Sequence, residues 1–207
     1  HLTDAGHQRT TLKSIMKYNW RSQFYGHFNH LRSFVLGDES ALLMASYPRG
    51  RRPAQPFPYY NEVMTGFEYA AAVHMLYEGL AADGLKAITA IRERYDGQRR
   101  SPFDEAECGH HYARAMASWG AVLALTGFGY SGVTGSMTFA AQAGVCFWSN
   151  GDAWGSCRLA RRGDGFDVAL SVLHGELSLA RFVLRGFGEQ RWAERRRIAR
   201  GETIRFA

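Results

Sequence analysis

The chain has 207 residues, 46% of them hydrophobic, and a formal net charge of +6. That length suffices for one sizeable core, and no stretch approaches the ~20 apolar residues of a membrane-spanning helix. The positive charge is almost wholly arginine and is scattered, apart from Arg51-Arg52, Arg99-Arg100, Arg161-Arg162 and Arg195-Arg196-Arg197, so no nucleic-acid partner is expected.

Residues 4–19 read as a helix with Leu12, Ile15 and Met16 on one side, ended by Tyr18-Asn19-Trp20. From 21 to 37 there is no period, and the stretch reads as irregular. Ala41–Tyr47 is a short apolar run, either a strand or a buried helical turn. Residues 48–58 hold Pro48, Pro53, Pro56 and Pro58 and must be an extended loop, because proline removes a donor and disfavours helix before it. Its charge run Arg49-Gly50-Arg51-Arg52 reads as solvated or, beside a sugar site, as a binder of an acidic group.

Two helices are expected next. Residues 62–80 carry Tyr69, Val73, Leu76 and Leu80 at helical spacing, with His74 as a packing histidine. Residues 81–95 carry Leu85, Ile88 and Ile91. The short break between them predicts antiparallel neighbours, and Asp96-Gly97 signals a turn.

The loop Ser101–Arg114 packs three acids, two histidines, a thiol and an arginine into fourteen positions. A helix is expected from about His110 to Thr126, with Tyr112, Ala115, Met116, Trp119, Val122 and Leu123 as a buried stripe. Glu105 and Glu107 precede it, where carboxylates favour the positive end of the helix dipole. The plain reading is an acid cap with an Arg–Glu ion pair. Glu107, Cys108, His110 and His111 are residue types that ligate zinc, yet no second pair stands at finger-like spacing, so neither metal nor other cofactor is expected. Cys108, Cys146 and Cys157 fit no disulfide framework and are read as reduced thiols of a cytoplasmic protein.

After Gly127 the pattern changes. Residues 145–149, 154–160, 166–173 and 176–184 are short runs rich in aromatic or β-branched residues, punctuated by Asp164-Gly165 and His174-Gly175. Residues 203–206 read as a last edge strand. Trp148 and Trp154 flank Ser149-Asn150-Gly151-Asp152, as core residues of a small sheet or as a pair that stacks on sugar. The expected division is a helical part, 1–139, and an appended antiparallel β segment, 140–207.

Glu105-Ala106-Glu107-Cys108-Gly109-His110-His111-Tyr112-Ala113-Arg114 resembles the signature of glycoside hydrolase family 116, the family of bacterial β-glucosidases and the animal non-lysosomal glucosylceramidase. Three further stretches match in the same order. They are Asp38–Leu43 with Tyr47-Pro48-Arg49-Gly50, Pro56–Tyr59 with Glu62–Tyr69, and Arg92–Gly97. The resemblance implies a mainly α fold, the C-terminal portion of an (α/α)6 barrel of the six-hairpin glycosidase type, followed by the small antiparallel β region. An incomplete toroid of that kind would leave the 69–80 or 112–123 stripe partly exposed.

The activity it implies is retaining hydrolysis of β-glucosidic bonds, in β-glucosides or glucosylceramide, by one carboxyl nucleophile and one carboxyl acid/base. In the family both lie on earlier barrel segments, and residues 1–35 resemble neither motif. No catalytic residue is therefore assigned here; the chain reads as the C-terminal part of a longer catalytic domain, inactive alone. Glu105 and Arg114 match the positions that hold the far hydroxyls of glucose, and Glu107, His110 and His111 become neighbours of that subsite. The expected partner is a glucoside or a glucosyl-lipid, which is compatible with peripheral membrane contact. Met64, Ser101 and Phe103 depart from the family pattern and leave the aglycone open. Two alternatives stand beside this reading: a non-catalytic carbohydrate-binding or scaffold protein, and another (α/α)6 glycosidase.

Overall fold

The first helix, α1 (Ala5–Asn19), starts at Asp4, whose Oδ1 accepts from Gly6 N at 2.8 Å and His7 N at 3.2 Å. Such a cap satisfies donors that the first turn leaves orphaned. In this computed structural model residues 4–27, 34–105, 110 and 114–207 are described. The chain forms two compact units, 1–122 and 123–207.

In the first unit, α1 buries Leu12 and sets Ile15 and Met16 beside Leu42. It runs into β1 (Trp20–Arg21), which pairs antiparallel with β2 (Ala41–Leu42). The apolar run 41–47 thus yields only two strand residues. Residues 48–58 form neither helix nor strand, as their prolines dictate.

Helices α2 (Thr65–Tyr77) and α3 (Ala81–Arg94) pack on each other. Their approach depends on small residues. Ala72 and Ala87 are fully buried, and a Cβ added to Gly84 would lie 2.8 Å from the Ala72 carbonyl oxygen. The buried face of α2 is Thr65, Glu68, Tyr69, Ala72, Met75 and Leu76. Val73 and Leu80, expected on it, are only half-buried, and His74, expected to pack, is exposed. On α3 the buried face is Gly84, Ala87, Ala90, Ile91 and Arg94, whereas Leu85 is 44% exposed. Close backbone contact and a buried ion pair select these faces, rather than the largest apolar side chains.

The second unit is a β-sandwich. Its strands are β3 (Gly129–Ser131), β4 (Ser136–Ala140), β5 (Gly144–Ser149), β6 (Trp154–Arg162), β7 (Gly165–His174), β8 (Leu177–Arg185), β9 (Gly188–Ile198) and β10 (Thr203–Phe206). They form two four-stranded sheets, ordered β10-β7-β6-β5 and β3-β4-β8-β9. Phe139, Trp148, Leu159, Leu170, Leu179 and Phe182 belong to one core drawn from both sheets. Alternating inward residues on β7 and β8 supply much of it. Every pairing is antiparallel except β4 with β8, which is parallel. The β10 strand lies at a sheet edge, as its sequence suggests. The β6–β7 hairpin turns at Gly163-Asp164, one residue earlier than Asp164-Gly165, with Gly165 already paired to Arg162 as the first residue of β7. His174-Gly175 instead carries the chain from one sheet to the other; Gly175 has φ 75°, and a Cβ there would meet the Asp152 carbonyl oxygen at 2.1 Å.

The mainly α architecture implied by the resemblance, an (α/α)6 barrel portion, is corrected by these elements. Among the described residues there are four α-helices and ten strands in three sheets, an α+β arrangement. Two local causes account for the difference. Strands β3 and β4 occupy 129–140, which the expected division counted with the helical part, and β9 is an arginine-rich edge strand whose charges hide its strand character. The expected helix 110–126 also breaks up: His110 has φ 66°, a 3-10 turn spans Arg114–Ser118, and among the described residues of that span only α4 (Trp119–Thr126) is α-helical. The tighter 3-10 period disrupts the apolar stripe, and Met116 and Trp119 are 70% and 67% exposed. No helix among the described residues is long and apolar enough to cross a membrane.

Candidate functional site

Glu105 is 5% exposed, and its Oε1 accepts a hydrogen bond from Thr65 Oγ1 at 2.5 Å. Thr65 opens α2, so this carboxylate is anchored at the helix start. Arg114 opens the 3-10 turn, and its side chain lies over the next residue of α2. A Cβ added to Gly66 would come 3.1 Å from Arg114 Cδ. The two residues assigned to sugar contact therefore both reach the first turn of α2. Carboxylate and guanidinium are a matched set for a polyol: the first accepts from hydroxyls, and the second donates to their lone pairs in a fixed fork. His110 is elsewhere engaged, its Nδ1 being 2.9 Å from Asp104 Oδ1 with both side chains exposed. Glu107, Cys108 and His111 lie outside the described residues. Among the described residues no three His, Cys, Asp or Glu side chains form a metal-ligand group.

Behind Glu105 stands a buried polar hub. Glu68 Oε2 accepts from Arg94 Nη2, both side chains being 1% exposed. Glu68 Oε1 accepts from Leu42 N at 2.9 Å, and Arg94 Nη1 donates to the Ser40 carbonyl. Burial pushes the Glu68 carboxyl above its usual range, while Arg94 and the Leu42 amide pull it back. Burial, aided by the charge of Glu105, pushes the Tyr95 phenol up to about 12. The Tyr69 phenol is also raised, chiefly by burial. Glu39, 4% exposed, accepts from Arg100 Nη1 at 2.5 Å and Nη2 at 3.1 Å, and from Leu36 N at 2.7 Å.

These bonds connect four separate stretches of sequence. Glu68 links 62–69 to 38–43 through Leu42 and to 92–97 through Arg94, and Thr65 links 62–69 to Glu105. Glu68 is paired with Arg94 inside the fold, whereas Glu39, paired with Arg100, lines a cleft beside Asp38 and Arg99.

No family model matches this chain, and no curated protein matches it.

Thr65, Glu68 and Arg94 were not assigned a role from sequence. A signal was present: Glu68 follows Thr65 by three positions and precedes Ala72 by four, on the buried stripe of α2. Arg94 follows Ile91 by three on α3 in the same way. A search for apolar residues alone passes over both.

Among the clefts that open on this unit are two large ones. One, about 540 Å³, is lined by Asp38, Glu39, Ser40, Arg92, Asp96 and Arg99 among others. The other, about 450 Å³, is lined by His27, Tyr47, Arg52, Tyr60 and Asn61 among others. Arg52, from the proline-rich charge run, donates to Tyr60 Oη at 2.7 Å and lies over its ring. In the second unit the two tryptophans separate. Trp148 is fully buried in the sandwich core. Trp154 is 42% exposed, stacked on His174 at 6.0 Å and 6.4 Å from Phe147.

Proposed function

We propose that the chain is part of a retaining glycoside hydrolase that cleaves β-glucosidic bonds, with Glu105 and Arg114 gripping the glucosyl unit. The observation that carries this reading is the convergence of both residues on the first turn of α2. The motif that contains them supports it, and so do the bonds that join the four motif-bearing stretches around Glu68. The proposed substrate is a glucoside or a glucosyl-lipid met in the cytoplasm, with a peripheral membrane contact in the lipid case. Retaining hydrolysis needs two carboxyl groups about 5–5.5 Å apart on either side of the bond cleaved. Glu68 is too buried and too firmly paired to be one of them, so the catalytic pair is assigned to a part of the enzyme beyond these residues.

A non-catalytic carbohydrate-binding protein is the second reading. The exposed Phe147, Trp154 and His174 rings favour it, since such a shelf suits stacking on the apolar face of a sugar.

Saturation-transfer NMR with methyl β-glucoside and methyl β-galactoside separates the two. The glycosidase reading expects transfer to the glucoside and little to the galactoside, lost in Glu105→Gln and kept in Trp154→Ala. Loss in Trp154→Ala alone would favour the carbohydrate-binding reading, and no transfer to either sugar would count against both.

A further inference from the structure

The two cysteines of the sandwich stand opposite each other. Cys146 on β5 and Cys157 on β6 are direct partners in the antiparallel register, with ten residues between them around the 150–153 turn. Opposite residues in such a pair have Cα atoms about 4.5–5.5 Å apart and side chains on the same face. A disulfide requires a Cα separation of about 4.4–6.8 Å. Both residues face the core: Cys157 is fully buried within it, and Cys146 packs against it half-buried. Both are free thiols in this structure. Sequence spacing alone does not reveal the pair, because a hairpin rather than a disulfide framework brings it together.

We propose that Cys146 and Cys157 form a redox pair, a cross-strand dithiol that closes to a disulfide on meeting a small-molecule disulfide. Cys146, the more accessible, reacts first. Its thiolate attacks one sulfur of the small disulfide, the S–S bond breaks, and one small thiol leaves and takes up a proton. Cys157 then gives up its proton, and its thiolate attacks Cys146 Sγ, forming the protein disulfide and expelling the second small thiol. Two protein thiols are oxidised, and one small disulfide is reduced to two thiols. Burial raises both thiol pKa values, Cys157 to about 12, so closure is slow at neutral pH. The consequence for the fold is a staple between β5, the edge strand of its sheet, and β6.

The tryptic peptide Ala115–Arg158 tests this directly, because it contains Cys146 and Cys157 and no other cysteine. The folded chain is equilibrated in mixtures of oxidised and reduced glutathione, quenched with acid, alkylated and digested, with a urea-unfolded sample in parallel. The peptide from folded protein should be lighter by two hydrogens, carry no alkyl group, and revert to two alkylated cysteines after reduction. The oxidised-to-reduced ratio needed should be about ten-fold lower folded than unfolded, because the register holds the sulfurs together. A doubly alkylated peptide, a persistent glutathione adduct, or equal ratios in the two states would overturn the proposal.

Discussion

Arg94 and Glu68 form an ion pair in which each side chain is only 1% exposed. It joins the end of α3 to the start of α2 and, through the Leu42 amide, to β2. Removing one partner of such a pair leaves a charge buried without compensation, at a cost of about 3–5 kcal/mol. Arg94→Met should therefore lower unfolding free energy by that amount in urea titrations. The double change Arg94→Met with Glu68→Gln should recover part of it. A single-mutant loss below about 1 kcal/mol is the behaviour of a water-exposed pair and would contradict the burial described.

The exposed side of the first unit should be adhesive. Phe67, Phe103, Met116 and Trp119 are 57–74% exposed, and large apolar side chains left in water favour association where they gather. Hydrophobic-dye binding and concentration-dependent association are expected in light scattering. Met116→Lys with Trp119→Lys should reduce both while changing stability by no more than about 0.5 kcal/mol. A monodisperse unmodified chain without dye signal would argue that these side chains are covered.

Alkaline pH should weaken the sandwich through Cys157. Its thiol is raised from 9.0 to about 12 by burial and by Cys146. Below pH 9 the thiol is protonated in folded and unfolded chains alike, and its contribution is intact. Between pH 9 and about 12 the unfolded chain releases the proton first, so the contribution is lost as pH rises. Melting temperature of the reduced chain should fall over that window, and less steeply in Cys157→Ala. Tyr95 acts in the same direction, which is why the difference between the two proteins is the informative quantity. Parallel curves would show that Cys157 ionises as freely folded as unfolded.

An aryl β-glucoside should not be hydrolysed above background by these 207 residues alone, because no catalytic carboxyl pair is assigned among them. Turnover that follows the protein through purification and survives Glu105→Gln would sink that assignment.

Local physics was legible where one interaction decides an element. The extent and apolar face of α1, the proline loop, and the strands β5, β6, β7, β8 and β10 all follow from residue pattern. The arginine-rich β9 was hidden because its side chains report an edge position and not a pleated core face. The α2 face was misjudged because its decisive residue, Glu68, is charged, and the α3 face because glycine and alanine make the contact. The architecture went wrong because the barrel was carried by resemblance rather than by residues 110–140, where φ at His110 and the strands β3 and β4 end the helical array. In the candidate site, Glu105 and Arg114 were singled out by residue type and resemblance. Their common anchor at Thr65 and Gly66 was not, since nothing in the spacing ties residue 65 to residue 105.

Isothermal titration of the protein with methyl β-glucoside and methyl β-xyloside, unmodified and as Glu105→Gln and Arg114→Lys, tests the sugar-contact assignment most directly. Glu105→Gln keeps shape and loses charge, and Arg114→Lys keeps charge and loses the fork. A site built to bond a hydroxyl loses much when its own buried groups go unpaired. Each substitution should weaken glucoside binding by about 10- to 1000-fold, or ~1.4–4 kcal/mol. The loss should be smaller for the xyloside, which lacks the sixth carbon and its hydroxyl. Equal proportional losses on both sugars, together with a lowered melting temperature, would contradict the assignment and leave Glu105 and Arg114 as structural supports of the α2 turn.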